Sequence, residues 1–416
     1  MPALNDFPRR FHDDENSDVE SQASSIVALE EQPTPKWYSR KASRSCKPLT
    51  RAREWKQSSL NPTDPERRTR RKSLFRKLLI VFVVLACFSV IAAITYISLV
   101  GALIRRLNPP RVSSGLQHIV DNWKEPDANG AYQFEWRDDF SRDITPKNCH
   151  SHNDYWRSVP TYQALAAGCV SIEADIWLSG DNELLVSHAW RSTKKERTLQ
   201  SLYLDPITNI FTNRNVSTTS IKDKEVGVFD TDPNASIILL IDFKSDGAKT
   251  WPVLISQLEP LHKKGWLTYF NGAEVVQGPL TIVGTGNTPF DLVLANTNRY
   301  IFFDAALDDV SNEKYTKENS YYASVQLNKA IGHIWLNRLT SSQVNTLKKQ
   351  IKAAADKGLK SRYWDTPSWP ISLRDKVWFT LTENDVGMLN VDDLTSATRW
   401  NWNWCVIAGL TLCGKS

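Results

Sequence analysis

Beyond residue 77 the chain has no surplus of positive charge. The whole sequence carries 51 Lys+Arg and 46 Asp+Glu, but 17 of the former and 11 of the latter fall in residues 1–77, leaving 34 against 35. A body without a basic excess lacks the electrostatic footprint of a nucleic-acid binder, so no nucleic acid is expected as a partner. Cysteine is scarce, with six in 416 residues, which excludes a disulfide miniprotein. No segment repeats at a fixed period. The one glycine-rich turn, Gly284-Thr285-Gly286-Asn287, lacks the third glycine of a dinucleotide fingerprint. What the chain does have is 41% hydrophobic residues, enough to bury a sizeable core.

Charge is absent altogether from residues 78–104, a run of 27. A bilayer core needs about 20 residues in helical form, so this run predicts a transmembrane helix. It starts too late and runs too long for a cleaved signal peptide. Seven basic residues from Arg67 to Lys77 precede it, and only Arg105 and Arg106 follow at once. The positive-inside bias then predicts a single-pass type II protein, with residues 112–416 lumenal or extracellular. Asn215 and Asn234 head Asn-x-Ser triplets on that side, as glycosylation acceptors would. Cys149, Cys169, Cys405 and Cys413 also lie there, in a disulfide-permitting compartment. Three connectivities are possible, and Cys149–Cys169 with Cys405–Cys413 is the preferred one. Residues 1–77, rich in Ser, Pro and mixed charge, predict a disordered basic cytosolic tail. Early acids such as Asp6, Asp13 and Asp14 argue against a mitochondrial presequence.

From residue 112 onward, apolar runs alternate with helical stretches. Strand-like runs end at His152 and cover 170–177, 184–188, 237–243, 280–283, 300–304, 321–325, 359–364 and 386–391. Helix-like runs cover 160–167, 251–262, 341–357 and 372–381, the third opening on Thr340 as a cap and stopping at Gly358. Strands alternating with helices imply parallel βαβ units. About 305 residues suit an α/β fold of the (β/α)8 TIM barrel type, with a doubly wound open sheet as the alternative.

Chemistry concentrates at a few strand ends. In Ile172-Glu173-Ala174-Asp175-Ile176, side chains alternate faces, so Glu173 and Asp175 point the same way. Adjacent carboxylates repel and need a cation, a shared proton or basic partners. A hard divalent ion with oxygen ligands is the simplest partner. Asp242 and Lys244 repeat the pattern at the end of another apolar strand. Asp242 would complete a three-carboxylate metal site, and Lys244 would offer charge to an anionic substrate. A structural ion pair is the plainer alternative. Three of the seven histidines, His150, His152 and His188, sit beside these acids. Histidines near neutrality can serve as general acid and general base. Metal, lysine and two histidines together suggest work on a phosphate ester.

The stretch from Asn148 to Tyr155, then Gly168, Ser171 to Trp177 and Leu185 to His188, resembles the phospholipase C-like phosphodiesterases. That superfamily includes glycerophosphodiester phosphodiesterases and the spider sphingomyelinase D toxins. Within it the chain is most similar to the fungal altered inheritance of mitochondria protein 6 family. The resemblance covers about residues 145–400, and implies a (β/α)8 barrel. It implies His152 and His188 as the acid–base pair, and Glu173, Asp175 and Asp242 as ligands of one Mg2+ or Ca2+ ion. Lys244 matches the lysine two positions after the third ligand; His150 has no counterpart. Glycerophosphodiesterases usually carry Arg-Gly after the first histidine, where this chain has Asn153-Asp154, and Asp after the second, where it has Ala189.

The expected function is thus a membrane-anchored, metal-dependent phosphoric diester hydrolase or lyase acting on a phospholipid or glycerophosphodiester. Two alternatives stand beside it: a barrel without turnover that binds lipid or a protein partner, and a glycoside hydrolase using Glu173 and Asp175. An i, i+2 pair converging on one point beside Lys244 suits an anion better than a sugar flanked by separated carboxyls. Trp364 is expected to line the mouth. Trp400, Trp402 and Trp404 are expected to pack the C-terminal segment on the barrel, or else to face lipid.

Overall fold

The computed structural model describes residues 65–107, 113–127, 130–216 and 227–399, with the short strands Val406–Ile407 and Leu410–Thr411. The expectations for the first 64 residues, for Trp400, Trp402 and Trp404, and for a Cys405–Cys413 bridge lie outside them. The predicted apolar helix is present and extends back through the basic run, spanning Pro65–Leu107. Proline suits a first helical turn, and the Arg, Lys and Leu that follow are good helix formers. Thr95 hides its hydroxyl by donating to the Ile91 carbonyl at 2.8 Å.

Eight parallel strands build the second part: β1 (Lys147–Ser151), β2 (Cys169–Leu178), β3 (Ile237–Phe243), β4 (Leu280–Gly286), β5 (Ile301–Ala306), β6 (Ser320–Gln326), β7 (Lys360–Trp364) and β8 (Met388–Val391). Each strand pairs with the next, and β8 pairs with β1. The sheet therefore closes into a barrel and not into an open doubly wound sheet. β3 is apolar but for Asp242, while β2 alternates buried apolar residues with Ser171, Glu173 and Asp175. Ile172, Ala174 and Ile176 are fully buried on the outer face of β2, so Glu173 and Asp175 take the inner one.

The run predicted as a strand at 184–188 forms Leu184–Val186, which pairs antiparallel with the end of β2. It is not a barrel stave. β1 stops opposite Ile172, and the added strand begins its pairing at Ile176, higher along the same strand. This lifts His188 to the rim. The helices lie where periodicity put them, at Tyr162–Ala167, Gly247–Lys263, Ser341–Asp356 and Ile371–Thr382. Thr340 and Gln343 form a reciprocal capping box at the third of these. Cys149 and Cys169 are joined by a disulfide that ties β1 to the start of β2.

Candidate active site

Parallel barrels present their chemistry at the C-terminal ends of the strands. Here those ends bring the expected residues together. Asp175 on β2 stands opposite Asp242 on β3, at the same level of the sheet. Glu173 lies one inward step below. One oxygen from each of Glu173, Asp175 and Asp242 lies within 4.8 Å of the others. Room for Asp242 comes from Gly286 on β4, whose backbone is left-handed at φ +63°. A Cβ built there would overlap the Asp242 carboxylate.

The electrostatics of this cluster are unbalanced without a further cation. Burial pushes the Asp242 carboxyl up to about 6, with the Asp175 charge adding to the push and Lys244 opposing it. Lys244 Nζ lies 2.9 Å from Asp242 Oδ2 and 3.3 Å from Asp175 Oδ2. Burial works against its charge, yet those two acids hold it above the usual lysine range. Asp175 Oδ1 and Asp242 Oδ1 are nevertheless buried with no hydrogen-bond partner. Unpaired buried carboxylate oxygens are costly, and hard divalent ions take such oxygens as ligands. The donor set fits one.

Two histidines flank the acids. His152 directly follows β1; its Nδ1 lies 2.8 Å from Asp392 Oδ1, just past β8. A carboxylate only accepts, so Nδ1 carries a proton and Nε2 faces the site, 4.0 Å from Glu173 Oε2. Burial lowers the His152 pKa, but Glu173 and Asp392 outweigh it and hold it above the ordinary value. His188 stands opposite, half exposed, with Nδ1 3.5 Å from Asp175 Oδ2.

His150 plays a different part. It is fully buried, with Nδ1 2.7 Å from Ser171 Oγ and Nε2 3.3 Å from Glu173 Oε2. Burial pulls it down to about 4, so it stays neutral and holds Glu173 in place. Glu173 also accepts from the Asn153 backbone N–H at 3.0 Å. Burial disfavours its charge, but His152, the His150 hydrogen bond and Arg362 together keep its pKa well below the usual range.

Three contributors carry no local signal that marks them. Tyr155 lies in the motif stretch but has no role assigned by its spacing. Its hydroxyl is 2.7 Å from Asp175 Oδ2, 2.5 Å from Asn153 Oδ1 and 3.3 Å from His188 Nδ1. Burial and the charges of Asp175 and Glu173 raise its pKa far above the usual value, so it stays protonated. The turn that aims it needs Asn153 in a left-handed conformation, φ +46°, which asparagine tolerates. Asp392 and Arg362 come from the far end of the chain. Arg362 is buried inside the barrel, held by Asn390 at 2.9 Å, Ser324 at 3.0 Å and Asp304 at 3.4 Å. Trp364 ends β7 at the rim, partly exposed, as expected for a residue at the mouth.

Residues 138–304 match the AIM6-like phosphodiesterase domain. The barrel and its matched half thus define a member of the phosphodiesterase superfamily. The chain is 40% identical to an altered inheritance of mitochondria protein 6 homolog of Arthroderma benhamiae, across 69% of this chain and 92% of that protein. It is 35% identical to altered inheritance of mitochondria protein 6 of Eremothecium gossypii, across 60% of this chain and 68% of that one. The chain belongs to the altered inheritance of mitochondria protein 6 family. Among solved structures it is similar to a glycerophosphodiester phosphodiesterase from Thermotoga maritima, with 14% identity, 61% and 96% coverage of the two chains, and TM-score 0.32. It is also similar to a phosphatidylinositol-specific phospholipase C from Listeria monocytogenes, with 12% identity, 62% and 93% coverage, and TM-score 0.33. At such scores the fold rests on the strand order and closure described above.

Proposed function

We propose that this protein is a metal-dependent phosphodiesterase, held at a membrane by residues 78–104, that cleaves a phospholipid or glycerophosphodiester. The observation that carries the reading is the pair of unpartnered carboxylate oxygens on Asp175 and Asp242, set between His152 and His188. One Mg2+ or Ca2+ held by Glu173, Asp175 and Asp242 would supply Lewis-acid stabilisation of a phosphoryl oxygen. Lys244 adds a second positive charge beside that oxygen. His152 and His188 divide the proton work: one takes the proton of the attacking hydroxyl or water, and the other protonates the leaving oxygen. Asp392 fixes the ring of His152, and Tyr155 that of His188. The buried Arg362 and neutral His150 keep Glu173 ionised and aimed.

The apolar helix supports the membrane reading: it is long enough to cross a bilayer, and from Leu74 to Leu103 all its apolar side chains but Val100 are exposed. Its basic flank favours a cytosolic N-terminus and a lumenal or extracellular barrel. The Cys149–Cys169 bridge agrees with that side. The test is turnover by the full chain in nanodiscs, followed by phosphorus NMR over lysolipids and glycerophosphodiesters with Mg2+, Ca2+ or chelator. Chelator-sensitive loss of one substrate is the expected result, and the product signal separates cyclic from open phosphate. A folded barrel that binds metal yet turns over nothing in the panel overturns the enzyme reading.

A further inference from the structure

Apolar surface is unevenly spread over the barrel. Trp335 and Leu336 are 74% and 91% exposed, and Trp369 is 75% exposed with Ile371 beside it. All four sit on the connections that follow β6 and β7, two neighbouring staves, and therefore at the same rim as the active site. The connections are tied together: Gln326 at the end of β6 donates to Asp365 Oδ2 at 2.8 Å, and Lys376 Nζ donates to the Asn337 carbonyl at 3.3 Å. Leu336 is the telling residue. Its backbone is left-handed, φ +50°, as is that of Asn337 at φ +54°. Leucine rarely adopts that region, because its Cβ crowds the following carbonyl. The side chain so presented makes no compensating packing, since it is the most exposed large apolar group among the described residues.

The composition of the tip says what would cover it. Tryptophan favours the headgroup level of a bilayer, where its ring is half buried and its N–H stays wet. Residues 327–340 hold Lys329 and Arg338 and no acid. Residues 364–376 add Arg374 and Lys376 against Asp365 and Asp375. Lys329 is paired with Asp308, and Arg374 with Asp375 and Asp393, so the tip is close to neutral and has no net charge to oppose a lipid surface. The chain also carries its own apolar helix, read above as the anchor, which ends at Leu107 with six residues between it and Ser114, where the barrel part opens. A tether that short raises the effective concentration of lipid surface to the order of millimolar, so a small apolar tip suffices.

We propose that the mouth of the barrel docks on a phospholipid surface through Trp335, Leu336, Trp369 and Ile371. The docking rests on the reading of residues 78–104 as a membrane anchor, and the test separates the two. The full chain is labelled with 5-fluorotryptophan and placed in nanodiscs of phosphatidylcholine and phosphatidylserine. Fluorine NMR then resolves Trp335 and Trp369, assigned through Trp335→Phe and Trp369→Phe, two exposed positions that the fold does not need. Adding phosphatidylcholine spin-labelled near its headgroup should cut both signals about twofold or more relative to that of Trp266, which is buried with its ring edge-on to Phe211. Equal losses for all three overturn the docking. Flotation with lipid vesicles, run on the same protein, reports the anchor alone: no flotation overturns anchor and docking together. Changes in the Trp335 signal that follow protein concentration without lipid would assign the tip to a second copy instead, and also overturn the proposal.

Discussion

Gly286→Ala tests the metal reading without replacing any charged group. A Cβ at Gly286 would overlap Asp242 Oδ1 and lie 3.0 Å from the Phe243 carbonyl oxygen. The Asp242 carboxylate has to swing away, giving up its place beside Glu173 and Asp175. The substitution also puts alanine at φ +63°, which costs about 1–2 kcal/mol by itself. Gly332→Ala is the control for positive φ: its φ is +71° with ψ −172°, a region essentially confined to glycine, and a Cβ there meets nothing within 4 Å. Both variants of the full chain should lose about 1–3 kcal/mol in chelator, read by thermal unfolding of the barrel. Only Gly286→Ala should bind divalent metal more weakly, by about 10–100-fold, the usual consequence of disturbing a residue that seats a ligand. Manganese, titrated by electron paramagnetic resonance, reads this directly and needs no substrate. If Gly286→Ala binds manganese as the wild type does while paying the same stability as Gly332→Ala, Asp242 is not a ligand and the three-carboxylate site is wrong.

Two further outcomes follow from the same geometry. His152→Ala and His188→Ala should each lower turnover about a hundredfold or more while circular dichroism stays native, because both rings lie at the rim and carry little packing; normal turnover by either removes it from the acid–base pair. Replacing Cys149 and Cys169 together by serine frees a loop with a sequence separation of 20 and should cost about 3 kcal/mol by chain entropy, measured by urea unfolding; an unchanged midpoint would mean that the bridge does not constrain the unfolded chain.

Much of the barrel is legible in the chain because its signals are local. The run at 237–243 is apolar but for Asp242, and its bounds in the structure are Ile237–Phe243. Glu173, Asp175, Asp242 and Lys244 are placed by the two-residue period of a strand, which fixes their face before any tertiary contact is known. The stretch at 184–188 shows the limit of that signal. Period and β-propensity are the same for an antiparallel flap and for a parallel stave, so pairing partner and direction stay hidden. Asp392 was hidden for another reason. It lies 240 residues from His152, and only closure of the barrel sets the two 2.8 Å apart. Tyr155 is unmarked because the aim of its hydroxyl depends on the left-handed turn at Asn153.

The pairing of β1 with β8 also has a temporal meaning. His152 leaves the ribosome early, but the carboxylate that orients it is made near the end of the barrel. A chain whose last stave has not docked already contains the three carboxylates of β2 and β3, but its His152 has nothing to fix its ring. Readiness of the site and completion of the fold therefore arrive in one event. On the proposed reading, a nascent or truncated molecule stays idle until the first and last strands meet.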